Sequence, residues 1–85
     1  MKLNPNFVLR QVADTWVVLP LGEATVNFNG MLTLNESGAL LWKALENGTD
    51  PVDALTAEYD VSRQLAAADV EEFLESLRKI GCLEE

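Results

Sequence analysis

Few side chains in this chain could do chemistry, and their spacing argues against each common reaction. The candidates are the thiol of Cys82, the adjacent carboxylates of Glu71 and Glu72, the hydroxyls of Ser37 and Ser62, and the neighbouring cations Arg78 and Lys79. A nucleophilic serine or cysteine needs a base beside it, and the 85 residues include no histidine. That removes Ser-His, Cys-His and His-metal arrangements within one chain. A lone cysteine gives neither an internal disulfide nor a paired-cysteine zinc or redox motif. Glu71 and Glu72 could share a proton only if they faced each other. On a helix consecutive residues diverge by about 100°, so the pair reads as a solvated face. The five glycines (Gly22, Gly30, Gly38, Gly48, Gly81) stand singly, which leaves no phosphate-cradling loop. A serine carrying a phosphopantetheine arm belongs at a helix start in an Asp-Ser-Leu-like motif. Ser37 instead lies in Glu-Ser-Gly and Ser62 in Val-Ser-Arg. No catalytic residue, cofactor or metal is expected, and an acyl-carrier-type protein becomes the weakest alternative.

Charge narrows the choice of partner. Six basic residues stand against fourteen acidic ones, for a formal net charge of −8. Nucleic-acid binders neutralise phosphates with Lys and Arg, whereas Arg10, Lys43 and Arg63 are scattered here. Arg78 and Lys79 fall in an expected last helical turn, where cations complement the helix dipole. Hydrophobic content of 48% suits a packed core rather than a disordered chain. The length fits one domain, residues 1–85. No apolar run approaches the ~20 residues of a membrane span, and the start, Met1 to Asn6, lacks the apolar region of a signal peptide. A cytoplasmic protein without membrane or nucleic-acid partners is the expectation.

The elements that must position any site divide the chain into a β half and an α half. Phe7–Val12 and Thr15–Pro20 are β-rich runs joined by Ala13-Asp14, a two-residue connection suited to a hairpin. Ala24–Phe28 alternates apolar and polar residues and predicts a strand with one wet face. Asn29-Gly30 is a hairpin signal, with Met31–Leu34 as the return strand. Asn35 then predicts a helix cap, because its side-chain oxygen can accept from free N–H groups of the first turn. A helix follows from Glu36 to about Glu46, with Asn47-Gly48 as its stop. Asp50 and Pro51 open a second helix, in which Val52, Leu55, Thr56 and Tyr59 share a face. Ser62 caps the longest helix, from Arg63 to Ile80, with an apolar stripe of Ala66, Val70, Phe73, Leu77 and Ile80 flanked by Ala67 and Leu74. Gly81 reads as its left-handed terminator, and Cys82 as a packing residue against Leu77. The fold expected is α+β and winged helix-turn-helix-like, with three N-terminal antiparallel strands followed by three helices.

The segment Leu34-Asn35-Glu36-Ser37-Gly38-Ala39-Leu40-Leu41-Trp42 resembles the Leu-Asn-Glu-(Ser/Thr)-Gly … Trp signature of the PqqD-like family. The Tyr59-Asp60-Val61 break and the Asp69-Val70 … Phe73-Leu74 … Leu77 helix fit the same pattern. These small proteins, also called RiPP recognition elements, bind the leader of a ribosomally made precursor peptide and present it to a modifying enzyme, often a radical SAM enzyme. The resemblance implies a non-catalytic peptide chaperone that binds by strand addition, with the leader antiparallel on the third strand in a groove walled by the third helix. Carried onto this chain, the strand edge is Met31, Leu32, Thr33 and Leu34. The helix wall is Ala66, Ala67, Val70, Glu71 and Leu74, although Val70 and Leu74 equally suit a core. The family pattern has three strands, so one of the four β-rich runs is expected to be a loop or wing. Met31–Leu34 is the firmer strand of the last two, because it leads straight into the first helix. The long stretch Gly22 to Gly30 leaves open whether Ala24–Phe28 or Met31–Leu34 is the free edge. Asn35 to Trp42 chiefly builds a helix start and anchors Trp42. Acidity favours a leader with basic residues. A winged-helix transcription regulator shares the architecture, and charge opposes it. A free edge could also pair with a second copy.

Overall fold

The computed structural model describes residues 2–27 and 31–84. Strand β1 (Lys2–Leu3) leads into a hairpin of β2 (Phe7–Val12) and β3 (Thr15–Pro20). Their register runs from Phe7 opposite Pro20 to Val12 opposite Thr15, so Ala13-Asp14 is the turn, as the sequence predicts. The turn holds Ala13 at φ 55°. A left-handed conformation costs an L-residue about 1 kcal/mol or more.

The next segment corrects the sequence reading. Ala24–Asn27 is a single helical turn, α1, and not a strand. Gly22 turns the chain at φ 55°, and the Ala24 and Thr25 N–H groups donate to Leu21 and Gly22 carbonyls at 3.1 and 3.2 Å. The Thr25 hydroxyl also donates to the Gly22 carbonyl, at 2.7 Å. Ala24 is buried against the main core. Alternation over five residues is too short a signal to outweigh these local bonds and that contact. Phe28, the last residue of the expected strand, and Asn29-Gly30, the expected hairpin turn, lie outside the described residues.

The return strand forms nonetheless. Strand β4 (Leu32–Leu34) pairs antiparallel with β3, with Leu34 opposite Trp16, Thr33 opposite Val17 and Leu32 opposite Val18. The sheet order is therefore β2-β3-β4, and among the described residues β4 is an edge. Directly opposed residues share a face. Leu9, Val18, Leu32 and Leu34 thus point to the helices, while Thr33 is exposed on the other face.

Helices α2 (Glu36–Asn47), α3 (Pro51–Glu58) and α4 (Arg63–Lys79) follow, each begun by the residue that the sequence nominates. Asn35 accepts from Gly38 N–H at 2.8 Å, Asp50 from Val52 N–H at 2.8 Å, and Ser62 from Leu65 N–H at 3.1 Å. Gly48 ends α2 at φ 74°, letting Thr49 N–H reach the Ala44 carbonyl at 2.9 Å. Gly81 ends α4 the same way, with Cys82 N–H on the Leu77 carbonyl at 2.9 Å.

Two apolar clusters meet along α4. One joins Phe7, Val18, Ala24, Trp42, Leu77 and Cys82 under the sheet. The other joins Leu41, Leu55, Ala66, Val70 and Leu74 between the three helices. Phe73 packs against both. A pairing that no local pattern announces closes the chain: β1 pairs with β5 (Leu83–Glu84). Asn4 reinforces it with its backbone N–H on the Cys82 carbonyl at 2.7 Å and its Nδ2 on the Gly81 carbonyl at 3.1 Å.

Candidate functional site

An edge strand offers backbone groups to a further strand, and among the described residues β4 is such an edge, followed by Asn35 at the rim of a cavity. One side of β4 is filled by β3. Its other side faces no strand among the described residues. At the end of β4 the chain turns directly into α2, and Gly38 packs closely under that turn. A methyl group there would lie 3.2 Å from Asn35 Oδ1 and 3.3 Å from Leu34 Cβ. Asn35 Oδ1 also accepts from the Ser37 hydroxyl at 3.0 Å, so the first turn of α2 is tied to the strand that precedes it.

A cavity of about 550 Å³ opens at this junction. Its floor is apolar, from Leu41 on α2, Leu55 on α3, Val61 in the α3–α4 turn and Phe73 on α4. Asn35, Ser37 and Gly38 line the strand end, and Asp69, Glu72 and Ser76 line the α4 side. Tyr59 stands at the corner, 38% exposed. The lining includes two carboxylates and no cation.

The structure separates the residues that the sequence reading grouped as one groove. Leu32, Thr33 and Leu34 form the edge strand, and Met31 precedes it as an exposed residue outside the strand. None of the five expected wall residues lines the cavity at the β4–α2 junction. Ala66, Val70 and Leu74 are 0%, 4% and 5% exposed in the cluster with Leu41 and Leu55, and have almost no surface to offer. Ala67 and Glu71 are exposed on the opposite flank of α4. There they line a separate hollow of about 540 Å³ with Val70, Leu74 and the α2–α3 connection. At 3.6 residues per turn, Ala67 and Phe73 lie about 120° apart around the helix, with the buried stripe between them. The flank that shares space with the β4–α2 junction carries Asp69, Glu72, Phe73 and Ser76. Phe73 was legible as part of the apolar stripe. The three polar residues carried no signal, because exposed polar residues flank both sides of that stripe.

The remaining reactive groups are elsewhere. Cys82 has no exposed surface, and desolvation pushes its thiol from an ordinary 9.0 up to about 12. It is a packing residue and a poor nucleophile at neutral pH. Trp42 is likewise fully buried, and its Nε1–H finds no acceptor among the described residues. The indole serves the core, as the signature suggests. Lys43 lies 4.1 Å from the Trp16 ring centre, which places one cation against the sheet's inner face. No group of acids and cysteine among the described residues is arranged to hold a metal ion. None of the described helices is long and apolar enough to cross a membrane.

The family model described as Coenzyme PQQ synthesis protein D (PqqD) matches residues 15–83. Two solved structures share the fold. "TbiB1 in Complex with the TbiA(beta) Leader Peptide" is 31% identical, covering 99% of this chain and 95% of that one, with a TM-score of 0.81. "Lasso peptide synthetase B1 complexed with the leader peptide" is 30% identical, covering 94% and 92%, with a TM-score of 0.76. No curated protein sequence matches this chain.

Proposed function

The chain belongs to the PqqD family, and on that premise we propose that it is a leader-peptide-binding module that adds the leader of a ribosomally made precursor to the free edge of β4. The observation that carries this reading is the position of that edge, unpaired among the described residues and leading at Asn35 into a cavity with an apolar floor. Strand addition takes affinity from main-chain hydrogen bonds and specificity from pockets for alternate side chains. A three-residue strand supplies few such bonds, so the cavity has to supply much of the discrimination. The groove we propose is Met31 to Leu34 on the strand side, with Asp69, Glu72, Phe73 and Ser76 as its helical wall.

The module itself carries no chemistry in this reading, and catalysis belongs to a separate enzyme. Holding the precursor close to that enzyme raises its effective concentration. One structural neighbour is named as part of a lasso peptide synthetase. We therefore favour an assembly of that kind over the radical SAM enzyme implied by the family signature alone. A DNA-binding reading of the winged helix fits poorly. Helix α4 bears Asp69, Glu71, Glu72 and Glu75, and two of its cations, Arg63 and Arg78, already pair with acids.

Amide titration of the ¹⁵N-labelled chain tests the reading, using synthetic peptides that tile the short precursor-like reading frames beside its gene. Shifts centred on Leu32–Leu34 and on Asp69–Ser76, with cross-strand contacts to β4, are expected. Shifts confined to β2, the sheet's other edge, would overturn the assignment.

A further inference from the structure

We infer that the cavity at the β4–α2 junction selects a Lys or Arg beside an apolar anchor, and that Asp69 and Glu72 are the residues that read it. The inference rests on the strand-addition reading above and assigns the chemistry of the segment next to the added strand. An apolar floor of Leu41, Leu55, Val61 and Phe73 accepts an aliphatic or aromatic side chain. Around that floor, Asp69 and Glu72 sit one turn apart on the same side of α4.

Among the described residues neither carboxylate has an ion-pair partner. The described ion pairs are Arg63 with Asp53, and Arg78 with Glu71 and Glu75. Lys43 is held over Trp16, and Lys79 shares a shallow hollow with Glu72 without pairing to it. A cleft lined by one sign of charge over low-dielectric walls concentrates the opposite sign. A net charge of −8 acts in the same direction. An acidic or neutral segment would leave both carboxylates partly desolvated with no partner, which disfavours it.

Direction then places the basic residue in the peptide. β4 runs from Leu32 to Leu34 and enters α2 at Glu36. A peptide added antiparallel passes the Leu34 end with its N-terminal side. The cavity lies at that end, against Asn35 and Gly38. The Lys or Arg and its apolar neighbour therefore lie immediately N-terminal to the strand-adding residues.

Selection from a random peptide library against the immobilised full chain provides the test. Wild-type protein is expected to enrich peptides in which an apolar residue and Lys or Arg precede a β-forming segment. Replacing that Lys or Arg in a selected peptide by Gln should weaken binding about three- to fivefold at low ionic strength. The double variant D69N/E72Q should lose the preference, with the difference between Lys and Gln peptides shrinking to within measurement error. A control, D14N/E46Q, removes the same net charge away from the cavity and should keep the preference. Both sets of positions are exposed, so the far-ultraviolet circular dichroism should match wild type. Enriched β-forming peptides without a basic residue would overturn this inference and leave strand addition intact. So would a preference that survives D69N/E72Q. If no extended peptide is enriched, strand addition fails and the inference fails with it.

Discussion

The burial of Cys82 gives this protein an alkaline limit to its stability whose size follows from the structure. The thiol is fully buried and its pKa rises from 9.0 to about 12, so the folded state holds a proton that the unfolded state releases. Below the unfolded value both states are protonated and the contribution is complete. As pH rises from about 9 to about 12 the unfolded chain binds fewer protons, so stability falls with pH through that window. Each unit is worth about 1.4 kcal/mol, for a total of about 4 kcal/mol. An 85-residue domain has only about 4–13 kcal/mol to lose. Urea unfolding midpoints measured across this range, on wild type and Cys82→Ala, isolate the effect because every other titrating group is common to both. At neutral pH the variant should be less stable by about 1–2 kcal/mol, the cost of a small cavity. The two curves should then cross near about pH 10, where the thiol has cost the wild type about as much as the cavity costs the variant. Parallel curves would refute the reasoning. Thiol chemistry gives a second view, since at about pH 8 a three-unit shift lowers the thiolate fraction about a thousandfold. Labelling of the native protein at a rate within tenfold of a denatured control would be equally damaging.

Ala13→Gly should raise stability by about 1 kcal/mol, or about 4–8 °C in Tm, by relieving the positive φ at the hairpin turn; an unchanged Tm by calorimetry would contradict the strain. Asn35→Ala removes the acceptor for Gly38 N–H and for the Ser37 hydroxyl, and should cost about 1 kcal/mol in urea unfolding. Tyr59→Ala trims the corner of the cavity and should weaken a selected peptide about tenfold, measured by fluorescence anisotropy, with little loss of stability. Val12→Ala, on the exposed end of β2, should leave affinity unchanged; equal losses from both variants would argue for binding at the wrong edge.

The helical half was legible because its signals are local. Asn35, Asp50 and Ser62 cap backbone groups two or three residues away. Gly48 and Gly81 supply the left-handed ends, and the Ala13-Asp14 turn set the hairpin register. Each of these depends on bonds within a few residues of chain, which residue type alone largely decides. Where long-range contact competes with local pattern, legibility ends. Ala24–Asn27 alternates like a strand, yet a helical turn docks Ala24 on the core. The β1–β5 pair joins residues at opposite ends of the chain, each strand two residues long, too short to carry a pattern of its own.

The site divides along the same line. From the sequence alone came the acidity, the absence of a histidine, the strand leading into Asn35, and the stripe on the last helix. Those properties belong to composition and to short-range periodicity. Only the tertiary structure chose which flank of that stripe lines the cavity at the β4–α2 junction. Ala67 and Glu71 lie to one side of it, and Asp69, Glu72 and Ser76 to the other, with exposed polar residues on both. Periodicity identifies the buried line of a helix and is blind to what stands on its left or right. That choice comes from how α2 and α3 pack across Leu41, Leu55, Val70 and Leu74, where contacts distant in sequence orient the helix as one rigid body.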